Sequence, residues 1–404
     1  MSEPLVIVGN GMAAARLVEE LATRALGRYA VAVIGEEPRL AYNRVLLSAL
    51  LARAVAPAEL ELKPASWWRD RGVTLRYGCR AAVIDLPERT VTLADGRGLS
   101  FAKLVLATGS RPLELSIPGI DLPGVLTFRD FTDVALMNLT VRSGDRVVVI
   151  GGGLLGLEAA YGLAKSGAQV TVVHLMDRLM ERQLDARAAA MLKDAVEATG
   201  VMVLTEARTV RLAGTSWVEA VELADGRQIE ADVVIVAAGV TPNVQLARAA
   251  GLEVGRGIVV NDRMETSAAG IYAIGECVEH RGRCYGLVDP VHQQASVLAR
   301  RLAGDDALYA GSVLATNLKV SGVHVFSAGD FLGGPGTEEI VLSDPGLDTY
   351  KKLVLANGRL IGTVLYGDTA DGPWYLDLMR SGACVEAFRD QLMFGRAVAL
   401  AEAA

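Results

Sequence analysis

The run Val147-Val148-Val149-Ile150-Gly151-Gly152-Gly153-Leu154-Leu155-Gly156-Leu157-Glu158 decides the fold. Four apolar β-formers lead straight into glycines, and a helical pattern follows at once. A dinucleotide site needs that order. Gly151 allows the tight turn off the strand. Gly153 lets backbone approach a pyrophosphate, and Gly156 lets the helix pack closely on the strand. The phosphates then meet the positive N-terminal end of that helix.

Such a glycine pattern is weak alone, and its recurrence gives it weight. Leu5-Val6-Ile7-Val8 is another short apolar run of the type buried in a parallel sheet. Gly9-Asn10-Gly11-Met12-Ala13-Ala14 and an amphipathic helix to about residue 25 follow it. A second strand over 29–34 ends at Gly35-Glu36-Glu37, where an acid holds the ribose diol of an adenosine; Glu36 is the choice of the two. Strands over 81–86 and 90–93 come next. The strand 104–107 then ends in Thr108-Gly109-Ser110-Arg111-Pro112, small residues that let backbone come close to a cofactor before proline stops regular structure.

The plan repeats after Gly151. A helix runs to about residue 165, and a strand over 169–173 is tipped by His174. A helical pattern covers 184–198, strands cover 201–204, 218–223 and 227–229, and the run 233–236 ends in Ala237-Ala238-Gly239-Val240-Thr241-Pro242. Two motifs that recur in order and spacing support each other. The expectation is two nucleotide-binding domains in one chain.

Composition sets the frame. The 404 residues allow two or three domains, and 51% hydrophobic residues allow sizeable cores. A net charge of -7 gives no reason to expect nucleic acid or an anionic membrane as partner. Cys79, Cys277, Cys284 and Cys384 are too scattered for a disulfide framework or a metal clamp, and Cys277 reads as a small apolar filler. The N-terminus shows no signal-peptide pattern, and no apolar run reaches the roughly 18 residues of a membrane span. A soluble protein of a reducing cytoplasm is expected.

After the second unit, short strands at 258–260 and 271–274 lead into Gly275-Glu276-Cys277. A helix is expected over 290–303, with Asp289 as cap and Pro290 first in the helix. From about residue 311 strand patterns dominate: 318–325, 338–342, 350–355 and 360–366, with Asn357-Gly358 as a hairpin signal. Helical patterns around 375–380 and 385–392 close the chain. Three domains are expected: 1–112 with 240–311, then 113–239, then an α+β domain over 312–404.

Gly9-x-Gly11-x-x-Ala14, Ala107-Thr108-Gly109, Gly151-x-Gly153-x-x-Gly156-x-Glu158, Ala238-Gly239-Val240-x-Pro242-Asn243 and Ile274-Gly275-Glu276 stand in an order that resembles the FAD-dependent pyridine nucleotide-disulfide oxidoreductase superfamily. The stretches 36–48 and 174–185, and Tyr350-Lys351-Lys352-Leu353, look like the flavoprotein part of the assimilatory nitrite reductase large subunit, with rubredoxin and ferredoxin reductases as close relatives. The resemblance implies an α/β chain of two Rossmann-like three-layer domains, glutathione-reductase-like, with a C-terminal interface domain. It implies FAD in the first domain, at Gly9, Gly11, Met12, Ala13, Ala14, Glu36, Arg44, Ala81, Thr108, Gly109, Glu276 and Val291. It implies NADH or NADPH in the second, at Gly151, Gly153, Leu155, Gly156, Glu158, His174 and Gly239. Glu158 would point at the nicotinamide end, as the catalytic carboxylate.

The departures from that family bear on chemistry. The segment 39–50 carries no cysteine, so a dithiol relay or a cysteine-based oxidase or peroxidase is disfavoured. Ala49 stands where ferredoxin reductases often have lysine. No cysteines have iron–sulfur cluster spacing, so the chain is not expected to reduce nitrite by itself. The function implied is an electron-transfer reductase that passes electrons from nicotinamide through FAD to a separate iron–sulfur or rubredoxin-like acceptor protein, with nitrite or nitrate assimilation as a setting. Its rivals are an NAD(P)H oxidase or peroxidase and a non-catalytic NADH-sensing flavoprotein. The residues leave the nucleotide open: a neutral His174 would bond a ribose hydroxyl, whereas Arg178 or Arg182 would meet a 2′-phosphate. The resemblance alone favours NADH.

Overall fold

The computed structural model describes residues 2–320 and 322–401. Residue 321, in the expected strand 318–325, and residues 402–404, in the expected domain 312–404, lie outside the described residues. The chain forms two compact units. One comprises Met1–Leu47, Val55–Arg111 and Val240–Ser312; the other comprises Ser48–Ala54, Pro112–Gly239 and Val313–Ala404.

The first unit is built on a five-stranded parallel sheet in the order Ile271–Ala273, Lys103–Leu106, Glu3–Val8, Tyr29–Ile34, Thr74–Arg76. Val6 pairs with Ala32 on one side and Leu104 on the other, which makes Glu3–Val8 a central strand. Both sheet faces are covered, so its strands read as unbroken apolar runs. The helices Met12–Arg24 and Val288–Ala303 pack together as one layer. A three-stranded antiparallel sheet, Ala81–Asp85, Thr90–Leu93 and Gly98–Ser100, adds Ile84, Val91 and Leu93 to the same core. Trp68 is buried in that core, as a packing residue.

The helix expected over 290–303 begins at Val288 instead, with Leu287 as its extended cap. Asp289 is therefore not the cap. It lies in the first turn, where its carboxylate accepts from Gln293 Nε2 at 2.8 Å. Pro290 is tolerated at the third helical position, because an N–H there would have no intrahelical partner.

The second unit repeats the design. Its parallel sheet runs Met202–Leu204, Gln169–Val173, Arg146–Ile150, Val233–Val236, Val125–Thr127. A three-stranded antiparallel sheet, Thr209–Gly214, Val218–Leu223 and Gln228–Glu230, packs Leu212, Val221 and Leu223 against Val148 and Val234. The unit also holds a five-stranded antiparallel sheet, ordered Ala315–Val320, Val323–Gly329, Arg359–Tyr366, Thr349–Ala356, Glu338–Asp344. The single strand expected over 318–325 is a hairpin, with Val320 paired to Val323. Gly322, with φ +80°, is the turn signal that the apolar pattern concealed. Gly372–Ser381 is a helix, and the pattern around 385–392 is a 3-10 stretch, Glu386–Phe394, kinked at Phe388.

Two buried tyrosines tie this sheet to the helix Ala186–Glu197. Tyr350 donates to Asp185 Oδ2 at 2.6 Å, while Asp185 Oδ1 caps the helix by accepting from Ala188 N. Tyr366 donates to the Met191 carbonyl. Tyr350→Phe strips the capping carboxylate of a buried donor and is expected to cost about 1–3 kcal/mol, read as a lower Tm in thermal unfolding. An unchanged Tm would show that the contact carries no stability.

Candidate functional site

The two glycine turns have the same geometry. Gly9 has φ +117°, and a Cβ there would lie 2.0 Å from the Ala107 carbonyl oxygen. Gly151 has φ +125°, and its Cβ would lie 2.3 Å from the Ala237 carbonyl oxygen. In each unit the strand ending in Ala-Thr-Gly or Ala-Ala-Gly presses its backbone onto the turn. The third small residue is equally confined: a Cβ on Gly156 would stand 1.9 Å from the Gly151 carbonyl oxygen, and Ala14 is fully buried.

The middle glycines differ. Gly11 and Gly153 cap their helices in extended conformation, and no protein atom lies within 4 Å of where a Cβ would stand. Neither helix has an acid in its first turn. Each turn therefore leaves room beside a helix N-terminus with no negative charge to repel an anion. That room fits a dinucleotide pyrophosphate at both places.

Around the first turn, Glu37 is engaged. It accepts from Tyr42 Oη at 2.8 Å and pairs with Arg44, whose guanidinium lies 5.0 Å from the Tyr42 ring centroid. Glu36 is exposed and makes no side-chain bond among the described residues. Asn10 donates from Nδ2 to the Arg39 carbonyl at 3.1 Å, while its Oδ1 is buried without a partner, an acceptor at the turn that sequence reasoning did not single out.

Gly275 brings three expected residues together: a Cβ on it would stand 3.2 Å from Ala13 Cβ and 4.0 Å from Val291 Cγ1, and Glu276 follows it in the chain. Glu276 accepts from Ser110 Oγ at 2.8 Å. Thr108 donates to the Asn243 carbonyl at 2.7 Å, and Asn243 Nδ2 returns a bond to the Thr108 carbonyl at 2.9 Å, so the bend at Thr108-Gly109 is locked. Ala81 opens a strand two residues beyond Cys79, whose N–H meets the Gly35 carbonyl at 2.9 Å. Cys277 is buried with Sγ 3.3 Å from the Ile274 carbonyl, and burial pushes its thiol pKa up. That thiol is a packing group, not a nucleophile.

Around the second turn, His174 is buried with both ring nitrogens engaged. Gly152 N–H donates to Nδ1 at 3.0 Å, and Nε2 lies 3.1 Å from Glu181 Oε2. An accepting Nδ1 places the imidazole proton on Nε2, donated to Glu181. Arg178 is held by Asp177 at 3.0 Å and reaches the Leu184 carbonyl, whereas the Arg182 side chain is 86% exposed. The Gly239 carbonyl accepts from Leu113 N–H at 3.0 Å. Leu155 is half-buried in the first helical turn.

Glu158 follows on the same helix. Its carboxyl is pushed up to about 7 by burial, with the Ser48 hydroxyl pulling the other way through a hydrogen bond. One turn further, a Cβ on Gly162 would meet Leu51 Cδ2 at 3.4 Å. The segment 48–54 thus lies along the Glu158 face of the helix, and Ala49 supplies no cation to it.

Doubled dinucleotide turns on doubled parallel sheets define a protein that holds two nucleotides. Residues 3–297 match the pyridine nucleotide-disulphide oxidoreductase model, and residues 315–383 match the rubredoxin NAD+ reductase C-terminal domain. The chain is 43% identical over 369 residues to a nitrite reductase [NAD(P)H] of Bacillus subtilis, across 91% of this chain and 46% of that protein. It is 33% identical over 374 residues to the ferredoxin–NAD(+) reductase subunit of a benzene 1,2-dioxygenase system from Pseudomonas putida, across 90% of this chain and 89% of that one. The structure of a covalent putidaredoxin reductase–putidaredoxin complex matches with TM-score 0.89 and 26% identity, across 99% of this chain and 97% of that one. The chain belongs to the pyridine nucleotide-disulphide oxidoreductase family. It spans about half the length of the nitrite reductases and nitrate reductase subunit that it matches.

Among the described residues, no helix is long and apolar enough to cross a membrane.

Proposed function

We propose that the chain is an NAD(P)H-dependent FAD flavoprotein reductase that passes electrons to a separate iron–sulfur or rubredoxin-type acceptor protein, in the cytoplasm and within nitrite or nitrate assimilation. The observation that carries the reading is the pair of equivalent glycine turns, each with room for a pyrophosphate at a helix N-terminus. The likeness to a ferredoxin–NAD(+) reductase subunit of similar length supports the separate acceptor.

In this reading residues 1–112 and 240–311 hold FAD, residues 113–239 hold the nicotinamide nucleotide, and residues 312–404 form the interface domain. Gly9, Gly11, Met12, Ala13 and Ala14 take the FAD pyrophosphate, and Glu36 its ribose diol. Arg44, Ala81, Thr108, Gly109, Glu276 and Val291 line the rest. FAD, when bound, supplies a two-electron acceptor that releases electrons singly. Gly151, Gly153, Leu155, Gly156 and Gly239 seat the second pyrophosphate, and Glu158 faces the nicotinamide. The helix Val288–Ala303 turns its positive end toward the flavin ring and favours negative charge there. His174 belongs to the nucleotide site, but with both ring nitrogens engaged by Gly152 and Glu181 it acts by positioning rather than by the direct ribose bond expected of it.

Stopped-flow mixing of the flavin-loaded protein with NADH and with NADPH, without oxygen, tests this. Flavin bleaching within seconds with one nucleotide, followed by slow reoxidation in air, is expected. No bound flavin, or no bleaching with either nucleotide, would overturn the reductase, and rapid reoxidation in air would point to an oxidase.

A further inference from the structure

The second strand of the nicotinamide unit ends in His174, where an acid is needed to bind an adenosine ribose diol, and the structure shows what stands beside it. The segment after the strand folds back onto the glycine turn. Met180 N–H donates to the Gly152 carbonyl at 3.0 Å. A Cβ on Gly152 would lie 2.6 Å from Leu179 Cδ2 and 2.8 Å from the His174 ring. Met180 takes the left-handed φ of 50°, uncommon for its type, and that bend delivers the next residue, Glu181, to His174 Nε2.

We infer that Glu181, held at the strand tip by His174, is the acid that reads the adenosine ribose of the nicotinamide nucleotide and makes this chain selective for NADH. The inference rests on the nucleotide site proposed above. His174 acts as a positioning residue: Nδ1 is fixed by the Gly152 N–H of the phosphate turn, and Nε2–H aims the carboxylate. Oε2 accepts the hydrogen bond from Nε2–H, and Oε1, which the exposed Arg182 approaches at 3.9 Å, keeps acceptor capacity for a ribose hydroxyl.

A 2′-phosphate would meet this carboxylate as a like charge. The cations nearby do not cancel it. Arg178 is committed to Asp177, and Arg182 approaches Glu181 itself, Nε to Oε1, at 3.9 Å. Leu175 and Met176, both exposed beside this site, offer apolar surface to an adenine ring.

The test compares NADH and NADPH in the flavin-loaded protein by KM, by flavin reduction at saturation, and by the Tm shift that NAD+ or NADP+ produces. Wild type is expected to favour NADH. Glu181→Ala should raise KM for NADH roughly 10- to 100-fold and lower it for NADPH, with the saturated reduction rate kept. Glu181→Gln keeps a partner for His174 and should lose discrimination against NADPH first. His174→Asn keeps an acceptor for Gly152 N–H without the reach to Glu181, so it should erode the NADH preference while the Tm without nucleotide stays near wild type. A merely structural role would move both nucleotides equally. Wild-type preference for NADPH, or an unchanged NADH-to-NADPH ratio in Glu181→Ala and Glu181→Gln, overturns the inference and leaves the reductase standing. No flavin reduction by either nucleotide in wild type overturns the reductase itself.

Discussion

Gly9→Ala is expected to yield a protein with little flavin and a much lower Tm, while Gly11→Ala is expected to fold with near wild-type stability and still lose flavin. The two sites lie two residues apart in one turn, and they fail for different reasons. At Gly9 a methyl group would sit 2.0 Å from a backbone carbonyl on the next strand, at a φ of +117° that L side chains rarely adopt. The sheet cannot yield there, because Ala107 belongs to the buried core strand region. Overpacking and backbone strain each cost about 1–3 kcal/mol, a large share of the roughly 5–15 kcal/mol that holds a protein folded. At Gly11 the backbone is extended, φ -109°, and the added methyl meets no protein atom within 4 Å. It enters only the space assigned to the pyrophosphate. Flavin absorbance per mole of purified protein, with thermal unfolding of each variant, separates the cases. Equal Tm for Gly9→Ala and wild type would mean that the turn is not pressed against Ala107. Full flavin content in Gly11→Ala would mean that the open space is not the phosphate seat.

The sequence made the turns legible because strand, glycine turn and helix leave a local pattern, and the duplication supplied a second copy. It even paired the turns with Ala107 and Ala237, although the reason, direct contact with Gly9 and Gly151, belongs to the tertiary structure. Capping was less legible. The helix Phe131–Thr140, with Asp130 accepting from the Thr132 and Asp133 amides, went unread, although Asp130 and Asp133 carried the signal. The start of Val288–Ala303 was misplaced because proline marks a first turn but not which residue of it. Glu181 lies within the stretch 174–185, whose resemblance assigns it no role. Its approach to His174 depends on a left-handed bend at Met180, which no helical or strand period encodes. Position does not separate Glu36 from the adjacent Glu37, and the contacts that engage Glu37, from Tyr42 and Arg44, are tertiary and leave no sequence signal.

The largest pH effect is expected from Glu158→Gln. The Glu158 carboxyl is pushed by burial from an ordinary 4.5 to about 7, and Ser48 is the hydroxyl bonded to it. A carboxyl that holds its proton more tightly folded than unfolded contributes its full stability below about pH 4.5. That contribution is lost as pH rises through 7, since burial then confines a charge. The shift corresponds to about 3 kcal/mol. Wild type and Glu158→Gln should therefore have matching stability near pH 4.5, and the variant should be the more stable above pH 7. Denaturant unfolding of both proteins between pH 4.5 and 8 reads this difference. Activity should move the other way. As hydride leaves the nicotinamide, its ring becomes positive, and in the proposed site an ionised Glu158 would stabilise that charge. Flavin reduction at saturating NADH should rise with pH through about 7 in wild type and stay flat, roughly tenfold slower at pH 8, in the glutamine variant. A pH-dependent stability difference without this kinetic loss would leave Glu158 a buried acid remote from the nicotinamide. Identical stability of the two proteins across the range would mean that the carboxylate is solvated in the folded chain, and the raised pKa would fall with it.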